Sequence, residues 1–151
     1  MKIALILVLI LLQTAQAEEA QPQIIPHVYP VTEFEVYDGD TIKVIMDLGM
    51  GINYKTSVRV DGINAPEVRG EEKAAGLVVK SRVEEWLKDR KIYVKYLRVD
   101  KYGSRIVGKI IRDDGSELSP YLLQANLAKA YEGDKKPTFS AAEITLIAGS
   151  E

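Results

Sequence analysis

The chain has 151 residues, with 20 basic and 22 acidic side chains, one histidine and no cysteine. The lack of cysteine excludes disulfides and thiolate metal sites. A formal net charge of −2 argues against a broad basic face for tight, non-specific duplex binding, but it leaves room for a local basic cleft.

The first 17 residues have the pattern of a signal peptide. Lys2 gives a positive start, residues 3–12 are an apolar run, and residues 15–17 (AQA) match a small-x-small cleavage site. This run is shorter than the roughly 20 residues of a spanning helix, although a non-cleaved membrane anchor stays the alternative. We therefore expect cleavage after Ala17, export to the periplasm or the medium, and no stable membrane association afterwards.

Removal of 17 of the 151 residues leaves 134, which suits one domain. Because Lys2 is lost, 19 basic residues would face 22 acidic ones, a net charge of −3. Residues 18–30 are proline-rich and aperiodic and predict an extended leader, so a single domain is expected over residues 31–151. His27 in this leader is expected to be a solvated side chain rather than a ligand or base.

Three strands are predicted next. Residues 31–37 and 41–47 are rich in β-branched and aromatic side chains, and Asp38-Gly39 between them is a turn signal. A glycine-rich turn at residues 49–51 leads to a third strand at residues 54–63. The pattern predicts an antiparallel meander.

The second half of the chain mixes helices and strands. Residues 71–90 have one apolar stripe at helical spacing, with acidic side chains first and basic ones last. Strands are predicted at residues 92–99 and 105–112. Ser119-Pro120 predicts a helix start with serine as the cap.

A last short helix is predicted from Ser140, where Glu143 completes a capping box, to near Gly149. The order of elements predicts an α+β fold that is mainly β. We expect a five-stranded Greek-key barrel of the oligonucleotide-binding (OB) type with about three helices.

Two aspartates suggest a cation site. Asp38 and Asp40 lie two positions apart at the start of a strand, so their carboxylates point to the same side. Two neighbouring anions suit a hard cation such as calcium. The alternative is that Asp-Gly is simply a favoured hairpin turn, but such a turn does not need Asp40.

Charged residues at two turns suggest phosphate chemistry. Arg59 lies in an apolar strand, where its planar guanidinium suits either a phosphate or a structural salt bridge. Glu67 follows Pro66 in a stiff turn and is either a general base or a solubilising side chain. Residues 100–105 (DKYGSR) place lysine, tyrosine and arginine around a glycine, a composition that binds phosphate and stacks a base.

Four motifs in this order resemble the staphylococcal nuclease (thermonuclease) family. They are DGDT at 38–41, the R-to-APE run at 59–67, DKYGSR at 100–105 and LLQANLAKAY at 122–131. The resemblance covers about residues 32–131 and implies the OB-type barrel with helices. It also implies a calcium-dependent hydrolase, an endonuclease cutting DNA and RNA to products with 3′-phosphate ends. We expect a preference for single strands and a monomeric protein.

The resemblance implies roles for individual residues. Arg59 and Arg105 would clamp the phosphate, and Glu67 would orient or deprotonate the attacking water. The metal would be held by Asp40, Asn64 and the backbone carbonyl of Ala65, with Asp38 next to Asp40. The nucleotide contacts would be Lys101, Tyr102 and Tyr131.

Two positions depart from the family pattern. Asn64 stands where the family usually has an aspartate, so we expect weaker calcium binding. Ser104 is an extra residue before Arg105, so the alignment of this arginine requires an insertion. The alternative function is a non-catalytic module of the same fold that binds nucleic acid or protein.

Overall fold

The computed structural model describes residues 27–101 and 103–150. These residues form seven strands and three α-helices, and a 3-10 turn at Gly70–Glu72 precedes the first helix. The elements are β1 (Val28–Asp38), β2 (Thr41–Asp47), β3 (Asn53–Val60), β4 (Ile63–Asn64), α1 (Lys73–Leu87), β5 (Ile92–Val99), β6 (Ile106–Arg112), α2 (Leu118–Gln124), β7 (Lys129–Ala130) and α3 (Ala141–Ala148). The predicted signal peptide, most of the predicted leader and Tyr102 lie outside the described residues.

Five strands close into a barrel in the order β1-β2-β3-β6-β5, and β5 pairs back onto β1. The neighbours are antiparallel except for β3 and β6, which run parallel. A parallel pair needs a long crossover, here provided by β4, α1 and β5. The predicted five-stranded, mainly β barrel with about three helices is confirmed.

The core lies between the barrel wall and α1. Alternate residues of β2, Ile42, Val44 and Met46, are buried, as strand pleating requires. The predicted apolar stripe of α1 is buried throughout and faces the barrel: Ala75, Val79, Val83, Trp86 and Leu87. None of the helices in the described part of the chain is long and apolar enough to cross a membrane.

Two strand boundaries differ from the prediction. β1 begins at Val28, inside the predicted leader, because residues 28–30 pair with Tyr93–Lys95 of β5. The predicted strand at 54–63 is divided into β3 and β4 by a turn, in which Gly62 has φ +81°. Local composition could not locate the start of β1, since pairing with β5 decides it, whereas the break after β3 falls at Asp61-Gly62, a local turn signal that the predicted strand overran.

Of the two predicted helix caps, the one at Ser119 was wrong and the one at Ser140 is confirmed. α2 begins at Leu118 with Glu117 as N-cap and without a side-chain cap bond. The Oγ of Ser119 instead donates to the carbonyl of Asp61 at 2.7 Å, which ties α2 to the turn after β3. In α3 the capping box is present, because Ser140 accepts from the backbone N–H of Glu143 and its own N–H donates to the Glu143 carboxylate.

Candidate active site

A single open cleft of about 740 Å³ contains most of the predicted site residues. It lies where the DGDT turn, the end of β3, the turn before β6 and the segment after β7 meet. The predicted residues that line it are Asp38, Asp40, Arg59, Glu67, Lys101, Arg105 and Tyr131. Arg105 therefore reaches the same cleft as Arg59 despite the extra Ser104.

Strand pairing explains why distant segments meet here. Arg59 pairs with Thr41 across β2 and β3, which puts its side chain next to Asp40. The parallel register of β3 and β6 pairs Val58 with Ile106, so Arg59 and Arg105 follow and precede a matched pair. The pairing of the barrel strands thus brings the two arginine side chains to the same end of neighbouring strands.

Asp40 is a buried carboxylate with several partners. Its Oδ1 forms an ion pair with Arg59 Nη1 at 3.1 Å and accepts a hydrogen bond from Thr41 Oγ1 at 3.2 Å, and its Oδ2 accepts from the backbone N–H of Ala65 at 2.7 Å. Burial, together with the charge of Asp38, raises the pKa of Asp40 to about 7 against the lowering effect of Arg59. Additional positive charge in the cleft would therefore favour the ionised form of Asp40.

Asp38 adds a second buried carboxylate. Its Oδ1 accepts from the backbone N–H of Asp40 at 3.0 Å. Burial raises the pKa of Asp38, and the negative charge of Glu67 adds to the rise, although the bond from Asp40 acts in the opposite direction. Gly39 between the two aspartates has no room for a Cβ, which would overlap Val79 and Ala65. The turn is therefore packed against α1, which a hairpin tip in solvent would not be.

The sequence left open whether Arg59 forms a structural salt bridge or faces a phosphate site, and its position in the structure is compatible with both. Its side chain is only 14% exposed and pairs with Asp40, so it is a structural ion pair. It also lines the cleft, and its guanidinium lies 5.8 Å from the centre of the Tyr131 ring. A buried pair at the cleft wall can serve both purposes.

The turn at residues 100–105 is closed around Arg105. The backbone N–H of Asp100 donates to the carbonyl of Arg105 at 2.9 Å, and Arg105 Nε donates to Asp100 Oδ2 at 2.6 Å. This hydrogen bond is the main reason that the pKa of Asp100 lies below its usual range. Asp100 thus orients the guanidinium, a contact that the sequence motifs did not predict.

Glu67 sits at the mouth of the cleft. Its Oε1 forms an ion pair with Lys136 Nζ, and its backbone N–H donates to Glu72 Oε2 at 2.9 Å. The backbone of Glu67 packs directly on α1 at Gly76, where a Cβ would overlap the Glu67 carbonyl. Both Lys136 and Gly76 were missed in the sequence, because no local pattern relates them to Glu67.

Asn64 and Ala65 lie beside the cleft and are not among the described residues that line it. Asn64 is 1% exposed, and its Nδ2 donates to the carbonyl of Pro137 at 3.1 Å. Its Oδ1 is buried and has no hydrogen-bond partner among the described residues.

The donor chemistry of this region suits a hard cation. A carboxylate (Asp40), a buried amide oxygen without a hydrogen bond (Asn64 Oδ1) and a backbone carbonyl (Ala65) are oxygen ligands that calcium accepts. However, residues 27–101 and 103–150 contain no group of three or more acidic, histidine or cysteine side chains arranged to hold a metal ion. The residues thus fit calcium by type, with fewer charged ligands than a strong site has.

Comparison with known protein families identifies a relationship that covers most of the described residues lining the cleft. The sequence model described as staphylococcal nuclease homologue matches residues 57–147, more than half of the chain. The matched segment includes the strand of Arg59, the turn of Glu67, the turn of Arg105 and Lys136, whereas the DGDT turn precedes it. No curated protein sequence matches the chain.

Proposed function

The chain belongs to the family of staphylococcal nuclease homologues, and on that premise we propose that it is a calcium-dependent nuclease that hydrolyses phosphodiester bonds of DNA and RNA. Family membership alone places the function among nucleases and nucleic-acid-binding modules. The observation that carries the sharper proposal is that Arg59, Glu67 and Arg105 converge with Asp40 on one open cleft.

The two arginines are assigned to the phosphate. A phosphodiester is anionic and repels a hydroxide nucleophile, so a site must neutralise it while it positions a water. Arg59 lies on β3 and Arg105 directly precedes β6, the neighbouring strand, and each is oriented by a carboxylate, Asp40 or Asp100. Oriented guanidinium groups bind phosphate oxygens with little loss of side-chain entropy on binding.

Glu67 is assigned to the water. Its carboxylate would orient the water and accept a proton as the new P–O bond forms, and the bond to the 5′-oxygen would break. The released 5′-oxygen takes a proton from solvent. Phosphorus stays bonded to the 3′-oxygen, so the other product keeps a 3′-phosphate. When bound, calcium would supply further neutralisation of phosphate charge, and Asp40, Asn64 Oδ1 and the Ala65 carbonyl would hold it, with Asp38 next to them.

The proposal includes the substrate form and the location. Tyr131 presents an aromatic ring at the cleft, which favours an unpaired, stacked base over a duplex. Lys101 and Tyr102 are further proposed nucleotide contacts. Residues 1–17 are proposed to direct export to the periplasm or the medium as a monomer without stable membrane association.

A second function is favoured by two specific observations. Asn64 is an amide at the position of a family carboxylate, and Glu67 is already engaged by Lys136. Both features suit a module that binds nucleic acid or protein without cutting it.

Cleavage of a single-stranded oligonucleotide by the purified protein, with calcium or with a chelator, separates the two functions. We expect calcium-dependent cleavage that falls by roughly 10²-fold or more in Glu67→Gln, the usual size of a general-base effect, and in Arg105→Ala. Arg82→Ala is the matched control, because Arg82 is exposed on α1, donates to the carbonyl of Ser150 and is not among the described residues that line the cleft.

Each outcome has a defined meaning. Binding without cleavage under any divalent ion would favour the module. Cleavage that ignores the chelator would remove the metal assignment, and cleavage unaffected by both substitutions would refute the site.

A further inference from the structure

The segment between β7 and α3 brings a lysine to the cleft that none of the four motifs contains. Residues 132–137 contribute Glu132, Gly133, Asp134 and Lys136 to the lining. The segment is anchored on both sides, because the N–H of Tyr131 donates to Gly62 at 3.0 Å and Lys129 Nζ donates to the carbonyl of Thr138 at 2.8 Å. Lys136 is therefore carried by backbone that is fixed to the barrel.

A third anchor of the segment is Asn64. Its amide donates to the carbonyl of Pro137, the residue after Lys136. An ionised aspartate could not make this bond, because a carboxylate has no donor and would repel the carbonyl oxygen. The departure from the family pattern at position 64 thus has a structural role in placing Lys136.

The positive charge of Lys136 is stabilised by the carboxylates of the cleft. Burial alone would lower its pKa, but the hydrogen bond and charge of Glu67 and the charge of Asp40 outweigh burial and raise it, while Arg59 opposes them. Lys136 is therefore cationic at neutral pH and acts on two carboxylates of the site.

Glu67 needs such a contact to stay in the cleft. Its backbone is fixed by α1 and by Glu72, but these contacts leave the side-chain torsions undetermined. Its side chain is 48% exposed, and its negative charge opposes ionisation of Asp38 and Asp40 in the same cleft. Like charges would favour a rotamer that points to solvent, and the ion pair with Lys136 opposes this.

We propose that Lys136 is a positioning residue that holds the Glu67 carboxylate in the cleft, and that Asn64 supports this role by anchoring Pro137. This inference rests on the proposed nuclease function, and it makes residues 132–137 a part of the site. Lys136 acts through Glu67, so it is not itself assigned a contact with the scissile phosphate.

The test is a set of steady-state kinetics on a single-stranded oligonucleotide with saturating calcium. Lys136→Met should lower kcat by about tenfold or more, and by no more than Glu67→Gln does, with KM changed less than about threefold. Lys136→Arg should recover part of kcat, because it keeps the charge. Lys135→Met is the matched control on the same segment, since Lys135 is exposed and does not line the described cleft.

Two further variants separate positioning from other roles. In a Glu67→Gln background, Lys136→Met should cause no further loss of kcat. Asn64→Asp, which adds the family's charge but loses the donor to Pro137, should lower kcat rather than raise it. The contact itself is read without turnover, from nuclear Overhauser contacts between the side-chain protons of Lys136 and Glu67.

The outcomes distinguish this inference from the proposed function. An inactive wild-type protein would overturn the nuclease function and the inference with it. An active wild type in which Lys136→Met keeps full kcat, or loses as much again in the Glu67→Gln background, would overturn the inference alone. Absence of the Overhauser contact would also overturn it.

Discussion

At the scale of single residues, Arg59 and Arg105 have similar proposed roles but different surroundings. Arg59 and Asp40 have side chains only 14% and 10% exposed, whereas Arg105 is 33% exposed beside Asp100, which is 11% exposed. Loss of Arg59 leaves a buried carboxylate without its cation, so stability as well as the proposed catalysis depends on it.

We therefore predict that Arg59→Ala lowers the free energy of unfolding by about 1.5–3 kcal/mol, the range for a hydrogen bond to a charged group. Arg105→Ala should cost about 1 kcal/mol or less, as partly exposed pairs do. Urea denaturation of both variants measures the difference. Equal losses would contradict the unequal burial of the two pairs.

Gly76 offers a second residue-scale prediction. Helix propensity alone favours alanine over glycine by roughly 0.5–1 kcal/mol inside a helix. A Cβ at this position overlaps the carbonyl of Glu67, however, so α1 or the Glu67 turn must move. Gly76→Ala should therefore destabilise the protein and lower kcat together.

Thermal unfolding and kinetics of Gly76→Ala, beside Ser81→Ala on the exposed face of the same helix, measure this effect. Ser81→Ala should be neutral or slightly stabilising with unchanged kcat. A stable and fully active Gly76→Ala would show that the close approach to Glu67 is unimportant.

Prediction from sequence was limited at this scale by separation along the chain. Asp40, Arg59 and Arg105 were identified because each lies in a motif beside a turn signal. Lys136 was missed because it is 69 positions from Glu67 and lies in a segment whose composition resembles any polar loop. Ser119 was assigned as a cap because a serine before a proline has the same composition whether it caps a helix or bonds to a distant carbonyl.

At the scale of elements, α3 depends on its N-terminal cap and on one ion pair. Lys129 pairs with Glu143 at 2.7 Å, and Ser140 completes the capping box. The hydrogen bond from Lys129, followed by those from Ser140, lowers the pKa of Glu143 from 4.5 to about 2. Because Pro137 and Lys136 lie three and four residues before this cap, α3 also supports the end of the segment at the cleft.

The lowered pKa of Glu143 sets a pH dependence. The folded-state pKa lies below the unfolded one, so the contribution to stability is present above about pH 4.5 and is lost as the pH falls toward 2. Glu143→Gln should thus be less stable than wild type at pH 7, and the difference should shrink between pH 4.5 and 2. Unfolding free energies across this range test it, and a difference that does not vary with pH would contradict it.

Elements were predicted best where local pattern and tertiary packing agree. The stripe of α1 follows from a 3.6-residue period, and its members are all in the core. The predicted start of β1 was wrong, because residues 28–30 form a strand only by pairing with β5, about 65 positions later. The proline content and the lack of periodicity are real features of this segment, but they carry no information about its pairing with β5.

At the scale of the molecule, the excess of acidic residues restricts how nucleic acid can be bound. The net charge is −2 for the whole chain, so we expect binding of the proposed nucleic-acid substrate to rest on a few cations in the cleft such as Arg59, Arg105 and Lys101. Each neutralised phosphate of a single strand contributes about −0.7 to the slope of log affinity against log salt.

We predict a shallow salt dependence for oligonucleotide binding by the Glu67→Gln protein, with a slope of about −2. Lys101→Gln should reduce the slope by about 0.7, whereas Lys109→Gln, on β6 and paired with Glu117, should leave it unchanged. Fluorescence anisotropy at several salt concentrations measures both slopes. A steep slope would indicate a wider basic surface than the cleft.

The overall fold could be anticipated from the order of elements, but the closure of the barrel could not. Closure depends on the parallel pair of β3 and β6 and on the antiparallel pair of β1 and β5. Neither pairing leaves a local trace in the sequence, and the resemblance to a known family supplied what the pattern lacked. The site depends on the first of these pairings, because β3 and β6 place the two arginines.

The short pairing of Val28–Pro30 with β5 has a consequence for how the protein resists aggregation. These three residues cover the edge of β5, where unpaired N–H and C=O groups would otherwise form a template for another chain. A proteolytic cut just after Pro30 would leave the other strand pairs intact and yet uncover that edge. Residues 28–30, the last of the expected leader, therefore protect the edge of β5. Their loss would open the barrel and allow edge-to-edge association with another chain.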